Sequence, residues 1–115
     1  MLGPLEAEVM KIIWKAGEPI SVRELLGKLN KGREPELAYT TAMTVMSRLV
    51  HKGALTRRRE GRGYVYEAAV DDTAGIAVRQ VVREFGDEAV AHFIEEARAD
   101  PETLRRLRRL LAEES

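Results

Sequence analysis

Hydrophobic and polar positions alternate with helical spacing most clearly between Ala38 and Lys52. At the α-helical turn of about 100° per residue, one face of this segment is apolar. That face carries Ala42, Val45, Met46 and Leu49. The opposite face is polar and carries Thr40, Thr44, Ser47 and His51. The pattern predicts an amphipathic helix that ends at Gly53 and presents hydroxyl and cationic groups outward.

Two segments of alternating, β-branched and aromatic character follow this helix. They span residues 54–59 and 63–68 and are joined by Glu60-Gly61-Arg62-Gly63, which predicts a β-hairpin. Four arginines cluster near its tip: Arg57, Arg58, Arg59 and Arg62. Guanidinium groups suit phosphate oxygens or a narrow groove. The alternative is a solvated strand edge that guards against aggregation.

Two helices are predicted before this stretch. Pro4, followed by Glu6 and Glu8, is typical of a helix start. Ser21 and Glu24 form a capping box for a second helix from Val22 to about Asn30. Three helices followed by a hairpin is the element order of a winged helix-turn-helix, whose third helix enters the DNA major groove. The candidate DNA-binding residues are therefore Thr40, Thr41, Thr44, Ser47, Arg48, Arg57, Arg58, Arg59 and Arg62.

Residues 71–115 carry three further helical patterns, separated at Gly86 and at Asp100-Pro101. Three helices in so short a tail are close to the size that needs cross-links or oligomerisation for stability. Because the chain has no cysteine, the apolar faces of the tail are expected to meet a second copy. The predicted dimerisation residues are Val78, Val81, Val82, Phe85, Val90, Phe93, Leu104, Leu107 and Leu111. The predicted fold is mainly α with a small β-hairpin: a winged-helix DNA-binding domain over residues 1–70 and a helical dimerisation region over 71–115.

Charge is distributed unevenly along the chain. The 19 Lys and Arg balance 19 Asp and Glu. Residues 1–70 hold 12 basic and 8 acidic side chains, a net +4, and residues 71–115 hold 7 and 11, a net −4. Between Leu37 and Tyr66 the balance is 6 basic to 1 acidic, a net +5. The positive charge lies on the predicted helix and hairpin, which suits a polyanionic partner.

Composition argues against several other classes of protein. No cysteine is present, so the sequence offers no disulfide, thiolate metal site or cysteine nucleophile. His51 and His92 have no neighbours at ligand spacing, and we expect no metal and no cofactor. No phosphate-binding glycine loop and no nucleophile–base–acid set is found, so an enzyme is not expected. No segment is long and apolar enough to span a bilayer and the N-terminus does not resemble a signal peptide, which predicts a cytoplasmic protein.

Several of these segments, in this order, resemble the penicillinase-repressor family of bacterial winged-helix regulators (the BlaI/MecI type). The resemblance rests on Pro4-Leu5-Glu6-Ala7-Glu8-Val9-Met10, Ile13-Trp14, Tyr39-Thr40-Thr41, Thr44, Arg48-Leu49, Lys52-Gly53 and Gly61-Arg62-Gly63-Tyr64-Val65-Tyr66. It implies a homodimeric repressor that binds a dyad-symmetric double-stranded DNA operator. Thr40, Thr41, Thr44 and Arg48 match the family's DNA-contacting helix, and Arg58, Arg59 and Arg62 match its wing.

The resemblance also bears on how such a repressor is released. Members that respond to β-lactams are cleaved in the tail at an Asn-Phe bond after a membrane-bound sensor acts, which makes a sensor-protease system a candidate partner. The matching positions here are His92 and Phe93, so a histidine stands where those members have Asn. Copper-responsive relatives carry a cysteine motif that this chain lacks. The inducing signal therefore stays open.

Two functions of different kinds fit these patterns. The first is a sequence-specific repressor in which two copies cover a promoter. The second is a winged-helix module for protein contact, whose DNA affinity would be weak, indifferent to sequence and lost at physiological salt.

Overall fold

The computed structural model describes residues 2–114. The chain forms two compact units, the first ending at Gln80 and the second beginning at Val81. Six helices and three strands follow the order α1 (Pro4–Ala16), β1 (Ile20–Ser21), α2 (Val22–Leu29), α3 (Tyr39–His51), β2 (Leu55–Glu60), β3 (Gly63–Ala68), α4 (Thr73–Phe85), α5 (Asp87–Ala99) and α6 (Pro101–Glu114).

The helix boundaries follow local capping chemistry. Ser21 Oγ accepts a hydrogen bond from the Glu24 amide at 3.1 Å, while Glu24 Oε1 accepts one from the Ser21 amide at 3.3 Å. This confirms the capping box predicted for α2. Helix α3 is capped by Ala38 and Lys52, and Gly53 follows with a φ of 81°. The predicted end of that helix is confirmed, because a left-handed glycine after the C-cap redirects the chain into β2.

The three strands form an antiparallel sheet in the order β1-β3-β2. Strands β2 and β3 pair from Leu55 with Ala68 to Glu60 with Gly63. The loop between them begins with Gly61 at a φ of 62°, a conformation that glycine adopts without strain and that suits a tight hairpin. The hairpin prediction is confirmed. Strand β1, which pairs Ile20 with Tyr66, was not predicted.

The core of the first unit lies between the helices and one face of the sheet. Helix α3 contributes Ala42, Val45, Met46 and Leu49, all 5% exposed or less, which confirms its predicted apolar face. The other helices, the sheet and the short connection before β2 contribute Val9, Met10, Ile13, Ile20, Val22, Leu25, Leu29, Ala54, Leu55, Tyr66 and Ile76. The indole of Trp14, half-buried at the edge of this core, donates a hydrogen bond to the Val70 carbonyl at 2.8 Å.

Helix α4 begins in the first unit and ends in the second. Ile76 is fully buried in the core of the first unit, so that unit extends past residue 70. Whether residues 1–70 fold as an independent domain stays a prediction. In the second unit, α5 packs on α6. Among residues 2–114, no helix is both long enough and apolar enough to cross a membrane.

Candidate nucleic-acid interface

Helix α3 presents a continuous polar surface on the side away from the core. Thr40, Thr44, Ser47 and Arg48 are exposed, and Thr41 is half-buried on one flank. A shallow depression on this surface is lined by Met43, Thr44, Ser47, Arg48, His51 and Lys52. The side chain of Met43 is 45% exposed and lies beside the hydroxyl groups. The surface therefore combines hydrogen-bonding groups, one flexible apolar side chain and positive charge.

The hydroxyl proton of Thr44, on this surface, already forms a hydrogen bond within α3. Thr44 Oγ1 donates a hydrogen bond to the Thr40 carbonyl at 2.9 Å. This backward bond, one helical turn towards the N-terminus, is common for threonine in helices. The hydroxyl oxygen and the γ-methyl group stay available to a partner. Thr44 can thus accept a hydrogen bond or make an apolar contact.

The loop before α3 is fixed by Asn30, the C-cap of α2. Asn30 Oδ1 accepts a hydrogen bond from the Leu37 amide at 2.8 Å, and its Nδ2 donates one to the Leu37 carbonyl at 3.0 Å. Two bonds to the backbone of one residue hold the end of α2 beside the start of α3. Asn30 therefore adds a polar link between α2 and α3 to their packing in the core. Sequence reasoning missed this role, because an asparagine at a helix end also suits an ordinary cap or turn.

The other end of α3 is tied to the start of α1 through Glu6. Glu6 Oε1 accepts hydrogen bonds from the Gly3 amide at 2.8 Å and from Lys52 Nζ at 2.7 Å. Burial alone would raise the pKa of Glu6, but the Gly3 amide, Lys52 and the more distant Arg48 charge outweigh it and lower that pKa. The second oxygen, Oε2, is buried and has no hydrogen-bond partner within residues 2–114. Glu6 is thus a buried anion held next to the cationic end of α3.

The arginines of the hairpin divide between its two faces. The Cζ atoms of Arg57 and Arg59 lie 4.7 Å and 6.0 Å from the centroid of the Tyr64 ring, within cation–π range. Arg58 points to the other face, where its guanidinium nitrogens lie 3.5 Å from Glu60 and 3.6 Å from Glu67. Arg62 is exposed in the loop at the tip. The four arginines are therefore close in sequence but have different surroundings.

Large apolar side chains are exposed along the tail helices. Val78, Val81, Val82 and Phe85 on α4 are 44% exposed or more, as are Val90 and Phe93 on α5 and Leu111 on α6. Leu104 and Leu107 are half-buried. Exposed apolar clusters of this kind often mark protein–protein contacts. Their role in dimerisation stays a prediction.

The predicted cleavage region lies in the middle of a helix. His92 and Phe93 both belong to α5, and His92 is 80% exposed with its Nδ1 3.6 Å from Glu95 Oε2. A protease needs an extended backbone, so cleavage there would require α5 to unwind locally. Within the described part of the chain, no group of three or more His, Cys, Asp and Glu side chains could hold a metal ion.

Comparison with known proteins identifies the family of this chain. The sequence model of the family described as Penicillinase repressor matches residues 2–113. The chain belongs to the penicillinase-repressor family. Its fold is the winged helix of that family of transcriptional repressors, as the sequence resemblance predicted.

Individual relatives support this membership in the penicillinase-repressor family. The chain is 36% identical to the transcriptional regulator BlaI of Mycobacterium tuberculosis, with 97% of this chain and 83% of the relative covered. It is 38% identical to the penicillinase repressor of Bacillus licheniformis, with 64% of this chain and 56% of the relative covered.

Solved structures agree with the winged-helix assignment. The solution structure of the DNA-binding domain of the repressor BlaI is similar with a TM-score of 0.55 and 36% identity, covering 63% of this chain and 84% of that one. The monomeric form of Bacillus licheniformis BlaI in complex with the blaP half-operator is similar with a TM-score of 0.52 and 36% identity, covering 64% and 85%. Both comparisons cover somewhat less than two thirds of this chain.

Proposed function

We propose that the protein acts as a homodimeric transcriptional repressor that binds a dyad-symmetric operator and blocks transcription by covering the promoter. The observation that carries this proposal is the exposed surface of α3, on which Thr40, Thr44, Ser47 and Arg48 face solvent while the opposite face is buried. A helix anchored in this way can enter a major groove with its polar side against base edges. The structure of the related BlaI on a half-operator supports the same use of the fold.

The proposed roles of α3 and of the wing on DNA follow from the chemistry of their side chains. On α3, Thr40, Thr41 and Thr44 contact base edges through their hydroxyl and methyl groups, and Arg48 pairs with a guanine or with a phosphate. Exposed arginines of the wing that are not paired with a carboxylate neutralise phosphates and contribute affinity for any sequence. Base contacts supply specificity, and phosphate contacts fix the register of the helix.

Dimerisation is the second element of the proposal. The exposed apolar side chains of α4, α5 and α6 would be covered by a second copy, because such a large apolar surface is costly to leave in water. A two-fold dimer presents two α3 helices to two half-sites about one DNA turn apart. Occupying both half-sites makes the second binding event intramolecular, which raises affinity well above that of one copy.

The experiment that tests repression is transcript sequencing in the source organism, comparing the wild type with a strain lacking this gene. We expect a small set of transcripts to rise in the deletion strain. The wild-type gene should restore repression, and a Thr44→Ala/Arg48→Ala variant present at the same level should not. Unchanged transcripts, or full restoration by the α3 variant, would contradict the proposal and favour a protein-contact module.

A further inference from the structure

The β2-β3 wing has two chemically different faces, because side chains alternate along paired strands. The face that we call the Tyr64 face carries Leu55, Arg57, Arg59, Tyr64, Tyr66 and Ala68. The face that we call the Glu67 face carries Thr56, Arg58, Glu60, Val65 and Glu67.

The Tyr64 face is positively charged and the Glu67 face is not. On the Tyr64 face, Arg57 and Arg59 are exposed, and no carboxylate within residues 2–114 forms an ion pair with either. On the Glu67 face, Arg58 stands between two carboxylates, Glu60 and Glu67, and the local charge sums to −1. A phosphate approaching the Glu67 face would meet two anions for one cation. Repulsion between the phosphate and the carboxylates of Glu60 and Glu67 would weaken such a contact.

The Tyr64 face is also the one turned towards α3. Its inner residues, Leu55 and Tyr66, are 2% and 4% exposed and belong to the same core as Met46 and Leu49 of α3. Arg57, Arg59 and Tyr64 continue this face beyond the edge of the core, where Tyr64 becomes 41% exposed. The Tyr64 face is therefore held at its inner end by the core that α3 also lines, and its outer end carries the two exposed arginines.

Tyr64 gives the two guanidinium groups a common support. A long arginine side chain loses rotamer entropy when it is fixed in one position. Contact of Arg57 and Arg59 with one aromatic ring restricts both side chains before any partner is bound. A partner that needs two cations in a fixed arrangement then meets a lower entropic cost. The phosphates of one DNA strand, regularly spaced and singly charged, are such a partner.

We propose that the wing contacts the DNA backbone with its Tyr64 face, through Arg57 and Arg59, and that Tyr64 is the positioning residue for both. Arg58 lies outside this contact, although the family resemblance matched it to the wing. The proposal rests on the proposed DNA-binding function and assigns that function to one face of the hairpin.

Three variants with the same charge change test the assignment of the face. Arg57→Ala, Arg59→Ala and Arg58→Ala each remove one guanidinium from β2, and fluorescence anisotropy with a random-sequence duplex measures affinity over a range of salt concentrations. Removing one phosphate-binding cation lowers the slope of log affinity against log salt by about 0.9, or about 1.8 for a dimer with two wings. We expect that decrease for Arg57→Ala and Arg59→Ala, with Arg58→Ala close to the wild type.

Substitution of Tyr64 tests its positioning role. Tyr64→Phe keeps the ring and removes the hydroxyl, whereas Tyr64→Leu removes the ring and keeps an apolar side chain of similar size. We expect Tyr64→Phe to retain the wild-type affinity for duplex DNA and Tyr64→Leu to bind the duplex at least threefold more weakly. Heparin fragments too short to contact both arginines serve as a control, and Tyr64→Leu should bind them with unchanged affinity. The midpoint of thermal unfolding, measured for both variants, identifies any loss of DNA affinity that comes from an unfolded wing.

The outcomes separate this inference from the function on which it rests. A wild-type protein that binds no duplex at low salt overturns both. A wild-type protein that binds DNA, with Arg58→Ala losing as much affinity and slope as Arg59→Ala, overturns only the assignment of the face. Equal affinities of folded Tyr64→Leu and Tyr64→Phe overturn the positioning role of Tyr64.

Discussion

Lys52 Nζ lies 2.7 Å from Glu6 Oε1 and so joins the end of α3 to the first turn of α1. The Glu6 side chain is 11% exposed and also accepts a hydrogen bond from the Gly3 amide. The start of α1 and the end of α3 therefore meet at one carboxylate. Loss of its charge should affect both the stability of the first unit and the position of α3.

Glu6→Gln should destabilise the protein at neutral pH by about 1–3 kcal/mol, because the half-buried ammonium group of Lys52 then faces a neutral amide in place of a carboxylate. Chemical denaturation at pH 7 measures this change. Glu8→Gln is a matched control on the same helix: its ion pair with Arg33 has the same 2.7 Å distance but is 45% and 32% exposed. The control should cost at most about 1 kcal/mol. Equal losses for the two variants would contradict the role assigned to Glu6.

The same carboxylate should make stability depend on pH. The pKa of Glu6 is lowered from 4.5 on folding, since the Gly3 amide and Lys52 outweigh the effect of burial. A lowered pKa in the folded state means that the stabilisation is present above the unfolded-state pKa and is lost as pH falls through the folded-state pKa. The difference in unfolding free energy between wild type and Glu6→Gln should therefore shrink as pH falls below 4.5. A difference that stays constant down to acid unfolding would rule this out.

Asn30→Ala should weaken DNA binding from a position remote from the polar surface of α3. The substitution removes both hydrogen bonds to the Leu37 backbone and leaves its amide without that acceptor. We expect a loss of about 1–3 kcal/mol in stability and weaker binding to a specific duplex, because α3 is no longer held at its angle to α2. Asn30→Asp keeps the acceptor for the Leu37 amide and should recover part of both losses. Wild-type affinity in Asn30→Ala would show that α3 is fixed by core packing alone.

Thr44→Val should reduce specificity more than general DNA affinity. Valine keeps the shape and the methyl group but cannot accept a hydrogen bond, and a wrong base pair in a recognised site typically costs about 1–3 kcal/mol. The ratio of affinities for a selected duplex and a random duplex should fall, while affinity for random DNA stays nearly constant. Competition binding at fixed salt gives this ratio. A uniform loss on both duplexes would place Thr44 at a phosphate instead.

If two copies pair through the tail as proposed, Phe85→Glu should leave the protein monomeric. The Phe85 side chain is 53% exposed on the apolar stripe of α4, and a charge there cannot be buried against a second copy without a large desolvation cost. His92→Glu adds a negative charge at a side chain that is 80% exposed and should leave the assembly intact. Sedimentation velocity at micromolar concentration distinguishes the two species. A wild-type monomer, or a dimeric Phe85→Glu variant, would refute the predicted interface.

Much of the fold could be predicted because its signals are local. The four buried residues of α3 recur at helical spacing, and the capping box of α2 spans only three residues. Strand β1 was missed because two residues, Ile20 and Ser21, show no periodicity and become a strand only by pairing with β3.

The functional surface could be predicted less completely because its contacts are distant in sequence. Glu6 and Lys52 are 46 residues apart, and a carboxylate in the first turn of a helix also suits the helix dipole alone. Because successive side chains of a strand point to opposite faces, the sequence alone already places Arg58 on the face opposite to Arg57 and Arg59. Only the register that brings Glu67 near Arg58 shows which arginine is neutralised.

Selection of random duplex DNA by the purified protein at near-physiological salt, followed by sequencing of the enriched pool, tests the central claim most directly. If α3 reads base edges in a two-fold dimer, the pool should converge on two inverted half-sites centred about one helical turn apart. Thr44→Val should enrich a different or weaker half-site. A pool that stays unenriched with a folded, dimeric protein would contradict the account and leave a winged helix that contacts proteins.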